Sequence, residues 1–378
     1  MLGVGHGGRW FLDLETLLHS IAVQRHGIDP YTLPYDIQHW YSHWWLLLEP
    51  TGVSRADTLW LGAVITACVV AAVCLLVRPR TLGEVCWTLA VFGSAPILLG
   101  LNRANIDLVL FLILGPCVPA LMTSRRLVRL LAAPVLIALA AGLKYYPAVA
   151  GLILLALPSR RERAISLCLY AGLLLLVILS VAGDIKHYTG ANAVQGLFTF
   201  GAPLAFGPLG LTTTIGLGLT LGFLGASGLG IARALDLRNP LAPPELSRDH
   251  LFFILGAIVL TGCFVASTNY AYRWIFSFWM LPFLIRLRPA GDRRALFWLR
   301  NTTLALLIAV LWTEGLVVVA LNIVPHTLAT NIRCQEVANL TVQAMTWLLF
   351  ACLSGWLTHF VLLAGRGGPD PAGQRPGD

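Results

Sequence analysis

The chain has 378 residues, of which 57% are hydrophobic and only 12% are charged, and its mean hydropathy is +0.76. These values exclude a water-soluble globule, which has no interior large enough for so much apolar surface. The net charge of +8 comes mainly from arginines in the links between apolar segments, so it sets topology and gives no support to a nucleic-acid partner. The sequence therefore predicts an all-α, polytopic transmembrane helix bundle surrounded by membrane lipids.

The first 55 residues differ from the rest, because they are polar and aromatic and contain no stretch long enough to span a bilayer. The residues after Trp10 have the spacing of an amphipathic helix lying on a membrane face, with Asp13 in its first turn. Its apolar positions are Phe11, Leu14, Leu17, Leu18 and Ile21. The aromatic run from His39 to Trp45 is typical of a belt at the membrane interface.

Apolar segments that can cross the membrane follow as far as residue 365, and we count about eleven of them. They begin near Ala56, Glu84, Asp107, Leu127, Pro147, Ala164, Pro208, His250, Trp274, Thr302 and Val337. We therefore divide the chain into a first loop with interfacial helices (1–55), a transmembrane bundle (56–365) and a Gly/Pro-rich, disordered tail (366–378).

The basic residues predict the orientation of this bundle. If the first span runs inward, the larger share of the 26 lysines and arginines falls on one side, which the positive-inside rule makes cytoplasmic. A multi-pass protein of the cell membrane follows, with residues 1–55 outside and the C-terminus in the cytoplasm. Met1 to Arg9 do not resemble a signal peptide. Either one more transmembrane helix lies upstream of this start, which we favour, or the following helix carries the segment across the membrane.

Candidate functional residues gather on the predicted outer side, where the active face is expected. Ionisable groups near membrane depth are costly and so deserve a functional hypothesis. Four segments carry them: Asp13 with Glu15; Arg103, Asn105 and Asp107; Lys144; and Tyr270, Tyr272 and Arg273. Seven of the eight cysteines lie inside apolar spans, so the sequence predicts neither a disulfide framework nor a metal site.

Three cationic segments and one led by carboxylates suit a transfer reaction from a phosphate. Moving a sugar from a lipid phosphate to an alcohol needs a carboxylate to take the hydroxyl proton. It also needs cations to stabilise the charge on the departing phosphate. Arg and Lys alone can hold a monophosphate, so neither a metal nor another cofactor is required.

Three stretches in the middle of the chain resemble glycosyltransferase family 87. They are Leu101-Asn-Arg-Ala-Asn-Ile-Asp107, Ala140-Ala-Gly-Leu-Lys-Tyr-Tyr-Pro147 and the basic Ser159-Arg-Arg-Glu-Arg163. The resemblance extends to Asp13 upstream of Gly27-Ile-Asp-Pro-Tyr31, and to Asn269-Tyr-Ala-Tyr-Arg273. It covers most of the chain, although each motif is short and mostly apolar.

The resemblance implies a GT-C fold and an inverting transferase that uses a polyprenyl-phosphate sugar, most plausibly mannose, and a lipid or glycan acceptor. It implies that Asp13 is the catalytic base. Donor phosphate would contact Arg273, Lys144 and Arg103. The acceptor would be bound or oriented by Asn105, Asp107, Tyr270 and Tyr272. Two departures are the absent first helix and Ala271, which stands where the family pattern leads us to expect an acidic residue.

Each candidate also has a structural explanation. Asp13 can simply stabilise a helix N-terminus, Lys144 can extend from a span to the interface, and Arg103 can pair with Asp107 one turn away. Glu15 is expected to face away from Asp13. Glu314, in the middle of an apolar span, must be protonated or paired.

Glu314 keeps a second class of function open, a transporter or lipid flippase with charges buried along a path through the membrane. A third alternative is a membrane subunit without catalytic activity.

Overall fold

The computed structural model describes residues 10–34, 38–184, 199–206, 209–238, 247–266, 268–287, 294–323 and 328–365. These residues form a helical bundle, which confirms the predicted all-α class. A single pair of two-residue strands, Thr199–Phe200 and Asn269–Tyr270, runs antiparallel with Thr199 opposite Tyr270. The predicted tail, 366–378, lies outside the described residues.

Along the described ranges, the α-helices are Leu12–Arg25, Thr58–Val77, Leu82–Phe92, Ala95–Arg103, Ile106–Leu114, Cys117–Met122, Arg126–Leu143, Arg160–Val181, Thr213–Arg238, Arg248–Ala266, Ser277–Arg286, Arg294–Ile323 and Leu328–Gly365. The 3-10 helices are Pro30–Thr32, His43–Thr51, Arg55–Asp57, Tyr146–Ala156, Ala202–Ala205 and Ala271–Phe276.

Seven helices in the described part of the chain are long and apolar enough to cross a membrane. The count rises to eight if Leu82–Phe92 and Ala95–Arg103, which meet at a bend of 61°, form one broken span. Three further spans were predicted from Asp107, Pro147 and Trp274. Shorter apolar helices occupy these positions. The longest, Ile106–Met122, is interrupted between Leu114 and Cys117. A membrane protein is therefore supported, whereas the predicted number of spans is not confirmed.

Burial differs strongly between the spans. The helix Arg248–Ala266 is enclosed by protein, and its side chains from Leu251 to Leu260 are all buried. The helix Arg160–Val181 instead leaves Leu175, Leu176 and Leu179 exposed. Exposed leucines in such numbers are what a lipid-facing helix requires. The two helices therefore represent the centre and the rim of the bundle.

Small residues bring the central helices together. The helix Thr213–Arg238 packs on Leu328–Gly365, where Gly228 lies against the backbone of Ser354 and Gly355 lies against Ile231. In a membrane, lipid tails are as apolar as the helix surfaces, so the hydrophobic effect does not drive helices together. They associate instead by close packing of this kind. A side chain at either glycine would force the two helices apart.

The predicted amphipathic helix forms as Leu12–Arg25, and all five of its predicted apolar positions are buried. They pack on protein, however, and not on a membrane face. Phe11 fills the space in front of Gly62 on the first long span, and its backbone N–H donates to the Asn102 carbonyl at 2.8 Å. A stripe of apolar residues fits lipid and protein equally well, so its spacing did not distinguish the two.

The aromatic run from His39 to Trp45, predicted as an interfacial belt, also contributes to packing within the protein. His39 is 2% exposed, and the Trp45 indole donates to the Leu143 carbonyl at 3.1 Å. The Trp44 indole donates to Ser180 at 3.1 Å. The aromatic residues therefore tie the first segment to the ends of two spanning helices.

A sharp turn separates the helix Ala95–Arg103 from Ile106–Leu114. Ala104 adopts a left-handed conformation with φ of 41°, which is uncommon for a residue with a Cβ. Asn105 then caps the next helix, since its side chain accepts the Asp107 N–H at 2.9 Å. This turn places Arg103 and Asn105 on the same side, toward Asp13.

A second set of charged contacts joins helix ends on the side predicted to be cytoplasmic. Arg286 contacts Asp249 at 3.0 Å and Glu84 at 3.1 Å, and it also donates to the carbonyls of Val77 and Arg78. Arg129 contacts Glu162 at 2.7 Å. These pairs connect helices that are distant in sequence, and we refer to the first as the Arg286 clamp.

Candidate functional site

The four outer segments singled out in the sequence converge in one buried cluster, which we call the charged centre. It contains Asp13 from the first helix and Arg103, Asn105 and Asp107 from the turn around Ala104, which we call the broken-helix turn. Lys144 and Tyr146 come from the start of the 3-10 helix Tyr146–Ala156, Tyr272 and Arg273 from the 3-10 helix Ala271–Phe276, and Tyr41 from the first segment. Segments up to 260 residues apart meet here, from Asp13 to Arg273.

Asp13 is held by two donors from the broken-helix turn. The Arg103 guanidinium donates from Nε to Oδ1 at 2.7 Å, and the Asn105 amide donates to Oδ2. Asp13 is only 8% exposed. Arg103 compensates its charge, and each carboxylate oxygen keeps a further lone pair for another donor. The carboxylate is therefore fixed in position while it retains the capacity to accept a proton.

Asp107 lies at the start of the helix Ile106–Leu114 and is fully buried. Its Oδ1 accepts from Lys144 Nζ at 2.6 Å and from the Tyr146 hydroxyl at 2.9 Å. Arg273 Nε lies 3.5 Å from Oδ2, too poorly aligned for a hydrogen bond. Both Asp107 Oδ2 and Arg273 Nε are buried without a hydrogen-bond partner, and such atoms are rare unless a ligand or water completes them.

Aromatic rings surround the Lys144 ammonium. Its Nζ lies 5.9 Å from the ring centre of Tyr41, 5.6 Å from Tyr146 and 5.9 Å from Tyr272. The Arg273 guanidinium stacks over Tyr146 at 4.5 Å. Cation–π contacts of this kind stabilise a positive charge without consuming all of its N–H donors. Both cations therefore keep donors that a bound anion can use.

Tyr41 connects the two halves of the charged centre. Its hydroxyl interacts electrostatically with the carboxylates of Asp13 and Asp107 and with the cations Arg103 and Arg273. Burial, reinforced by the two carboxylates, raises the pKa of Tyr41 well above its ordinary value. The phenol therefore stays protonated and keeps an O–H donor within the charged centre.

The charge balance of the centre favours an anion. Three cations, Arg103, Lys144 and Arg273, face two carboxylates. A buried excess of positive charge is costly unless a negative group compensates it. A phosphate placed beside Arg273 and Lys144 would supply that compensation, while Asp13, which pairs with Arg103 and Asn105, remains available as a base.

The outcome for the predicted residues is uneven. Tyr272 lies in the charged centre, whereas Tyr270 is 43% exposed and stacks on Tyr272 with 5.3 Å between the ring centres. Glu15 lies elsewhere, as expected, and pairs with Arg55.

Two of the structural explanations fail. The predicted Arg103–Asp107 pair does not form, because the left-handed turn at Ala104 ends the helix between them. Lys144 does not reach toward the interface but contacts buried Asp107.

The sequence analysis missed Tyr41 and Tyr146 as members of the centre. Tyr146 follows Lys144 by two positions in a quoted motif, so the residue pattern contained that signal. Tyr41 was assigned to the interfacial belt, and nothing local distinguished it from its aromatic neighbours. Only the packing of the first segment onto the helix ends brings it to Lys144.

Among the described residues, no group of three or more His, Cys, Asp and Glu side chains is arranged to hold a metal ion. Comparisons with protein-family models, with curated proteins and with solved structures find no match. The resemblance to glycosyltransferase family 87 thus stays a prediction that depends on the motifs of this sequence.

Proposed function

We propose that the protein is a membrane glycosyltransferase of the GT-C type that uses a polyprenyl-phosphate sugar. The sugar is mannose by resemblance, and the acceptor is a lipid or a glycan on the outer face of the cell membrane. The observation that carries this proposal is the charged centre, which combines the fixed Asp13 carboxylate with a cationic, incompletely paired site at Arg273 and Lys144.

The chemistry assigns a role to each half. Asp13 takes the proton of the acceptor hydroxyl as its oxygen forms a bond to the anomeric carbon. The bond from that carbon to the phosphate oxygen breaks, and its electron pair leaves with the polyprenyl phosphate. Arg273 and Lys144 stabilise the charge that grows on the phosphate. Attack from the face opposite the leaving group inverts the configuration at carbon.

The first experiment follows radiolabelled sugar from polyprenyl-phosphate mannose into membrane lipid, with purified protein in vesicles. Wild type is compared with Asp13→Asn, which keeps the shape of the side chain but removes its basic oxygen. We expect a loss of at least about 1,000-fold, because the base is removed from a step that needs proton transfer.

Glu15→Gln is the matched control, since it makes the same chemical change two residues away on the same helix. Glu15 pairs with Arg55, outside the charged centre, so transfer should stay within about twofold of wild type. Normal turnover by folded Asp13→Asn would remove Asp13 as the base. Equal losses in both variants would assign them a structural effect instead.

A transporter or flippase is the second candidate, and two observations favour it. Glu314 is buried within the long helix Arg294–Ile323, and the span Leu82–Arg103 is broken by 61°. Broken helices and buried carboxylates are typical of transporter sites. Electrogenic or lipid movement in vesicles that is abolished by Glu314→Gln but insensitive to Asp13→Asn would favour this candidate over transfer.

A further inference from the structure

A separate cavity of about 440 Å³ is lined by the end of the first helix, by the turn that follows it and by part of the helix His43–Thr51. Its polar lining comes from Gln24, Asp29, Tyr31 and His43, and Ile28 and Leu46 form part of an apolar wall. Sites for small organic ligands commonly measure about 300–1,000 Å³. The cavity is therefore large enough for a sugar-sized group.

His43 is held in the wall of this cavity by a buried carboxylate. Its Nδ1 lies 3.0 Å from Asp184 Oδ2, and its backbone N–H donates to the same oxygen at 3.1 Å. The Tyr145 hydroxyl also donates to this oxygen, at 3.2 Å. Because a carboxylate accepts, Nδ1 donates in this contact and carries a proton. Nε2 is then the ring nitrogen that can accept from a group in the cavity.

The lining favours a neutral, hydroxyl-rich ligand over an anion. Among the described residues around the cavity there is no Lys or Arg, and Asp29 contributes a carboxylate. Tyr31 adds an aromatic ring, and Gln24 adds an amide with both a donor and acceptors. This is the reverse of the charged centre, where cations are in excess.

Two short paths connect the cavity to the charged centre. The Tyr31 hydroxyl donates to the carbonyl of Tyr41, a member of the charged centre, at 3.2 Å. Tyr145, which contacts Asp184, directly follows Lys144. Gln24 in the cavity wall and Asp13 lie at opposite ends of the first helix, about 16 Å apart along its axis. A group in the cavity is therefore a part of the acceptor remote from the hydroxyl that Asp13 would deprotonate.

We propose that this cavity is a subsite for a neutral polyhydroxylated group and that His43 Nε2, oriented by Asp184, accepts a hydrogen bond from one of its hydroxyls. Its assignment as the acceptor subsite rests on the proposed function, whereas polyol binding itself does not. His43 is a positioning residue in this scheme, and Asp13 remains the base.

Saturation-transfer NMR on the full protein in nanodiscs tests the binding, with methyl α-mannoside as the probe and mannose 6-phosphate as its anionic counterpart. We expect transfer to methyl α-mannoside in wild type and a loss of about fivefold or more in His43→Ala, the effect of one lost hydrogen bond. His19→Ala is the control, because it removes an imidazole from the same segment but outside the cavity lining.

A second variant guards against misfolding of His43→Ala. Leu47 lines the cavity but is 67% exposed, so Leu47→Trp can fill the mouth without disturbing the core. It should also reduce the signal. Unchanged signals in both folded variants would overturn the proposal, as would His43-dependent binding of mannose 6-phosphate alone.

Kinetics in vesicles then separate this inference from the proposed function. His43→Gln should raise the KM for the acceptor about fivefold and leave the donor KM unchanged. Polyol binding without any sugar transfer would refute the proposed function but leave the subsite standing. Sugar transfer without His43-dependent binding would support the proposed function and refute the subsite.

Discussion

The charged centre and the Arg286 clamp are built from the same kinds of residue but are completed differently. In the clamp, each guanidinium nitrogen of Arg286 has a partner: Glu84 for Nε, Asp249 for Nη1, and both Glu84 and backbone carbonyls for Nη2. In the charged centre, Arg273 Nε and Asp107 Oδ2 are buried without one. Unpartnered atoms also occur in the Arg129–Glu162 pair, so they do not by themselves mark a ligand site. What distinguishes the charged centre from the clamp is that its unpartnered atoms lie within an excess of cations, which suits an anionic ligand.

The strongest test of this comparison replaces arginine by lysine in both regions. Arg273→Lys keeps the charge but removes the forked guanidinium, so we expect turnover to fall about 100-fold if that fork binds phosphate. Initial rates over a range of donor concentrations measure the effect. A variant with unchanged donor kinetics would remove Arg273 from the site.

The next largest effect concerns acid stability near the charged centre. His39 packs edge-on against Tyr31 and Tyr41 and donates from Nε2 to the Ser42 carbonyl at 3.2 Å. Burial lowers the pKa of His39 from 6.5 to about 4, although the Ser42 carbonyl and Asp184 oppose that shift and His43 adds to it.

Between pH 6.5 and about 4, His39 binds a proton in the unfolded chain but not in the folded one. The free energy of unfolding is therefore highest above pH 6.5 and falls as the pH drops toward 4. The loss is on the order of 3 kcal/mol. Thermal unfolding in detergent at pH 7, 5.5 and 4.5 measures it. His39→Gln should flatten the decline, and an equally steep decline in that variant would assign the acid sensitivity to other groups.

Arg286→Lys completes the matched pair begun with Arg273→Lys. The clamp should lose about 2 kcal/mol of stability, because several contacts are broken at a partly exposed site. Transfer per folded molecule should not change. Arg80→Lys makes the same change at an exposed position nearby and should leave stability unchanged, which controls for a general effect of replacing arginine by lysine. Reduced turnover at full stability would contradict the structural role of the clamp.

The smallest expected effect is that of a chelator. Since the proposed donor leaves as a monophosphate that Arg273 and Lys144 can hold, incubation with EDTA should change the rate of sugar transfer by less than about twofold. Readdition of Mg²⁺ or Mn²⁺ to a chelated sample is the control. A strict metal requirement would favour a diphosphate donor over a monophosphate one.

Local patterns predicted the helices well and the tertiary contacts only in part. The spacing from Phe11 to Ile21 predicted a helix with the correct buried positions, because periodicity is a local property. Hydropathy predicted a continuous span from Glu84. The helix instead breaks between Phe92 and Ala95, where Gly93, Ser94 and Pro96 form a strong turn signal.

The members of the candidate site were largely recognisable, whereas their partners were not. Charge at membrane depth pointed to Asp13, Asp107, Lys144 and Arg273 one by one. Which carboxylate each cation contacts depends on the turn at Ala104 and on how the first segment packs. The His43–Asp184 contact spans 141 residues and has no local signature at all.

The left-handed residue Ala104 also bears on how this protein can be re-engineered. On a continuous α-helix, positions 103 and 105 would lie about 200° apart around the axis and could not reach one carboxylate. The irregular turn allows both to hold Asp13. Ala104→Gly would relieve backbone strain at no cost in shape. Regularising this stretch into a straight helix, a common route to thermostability, would instead separate the two donors and dismantle the centre.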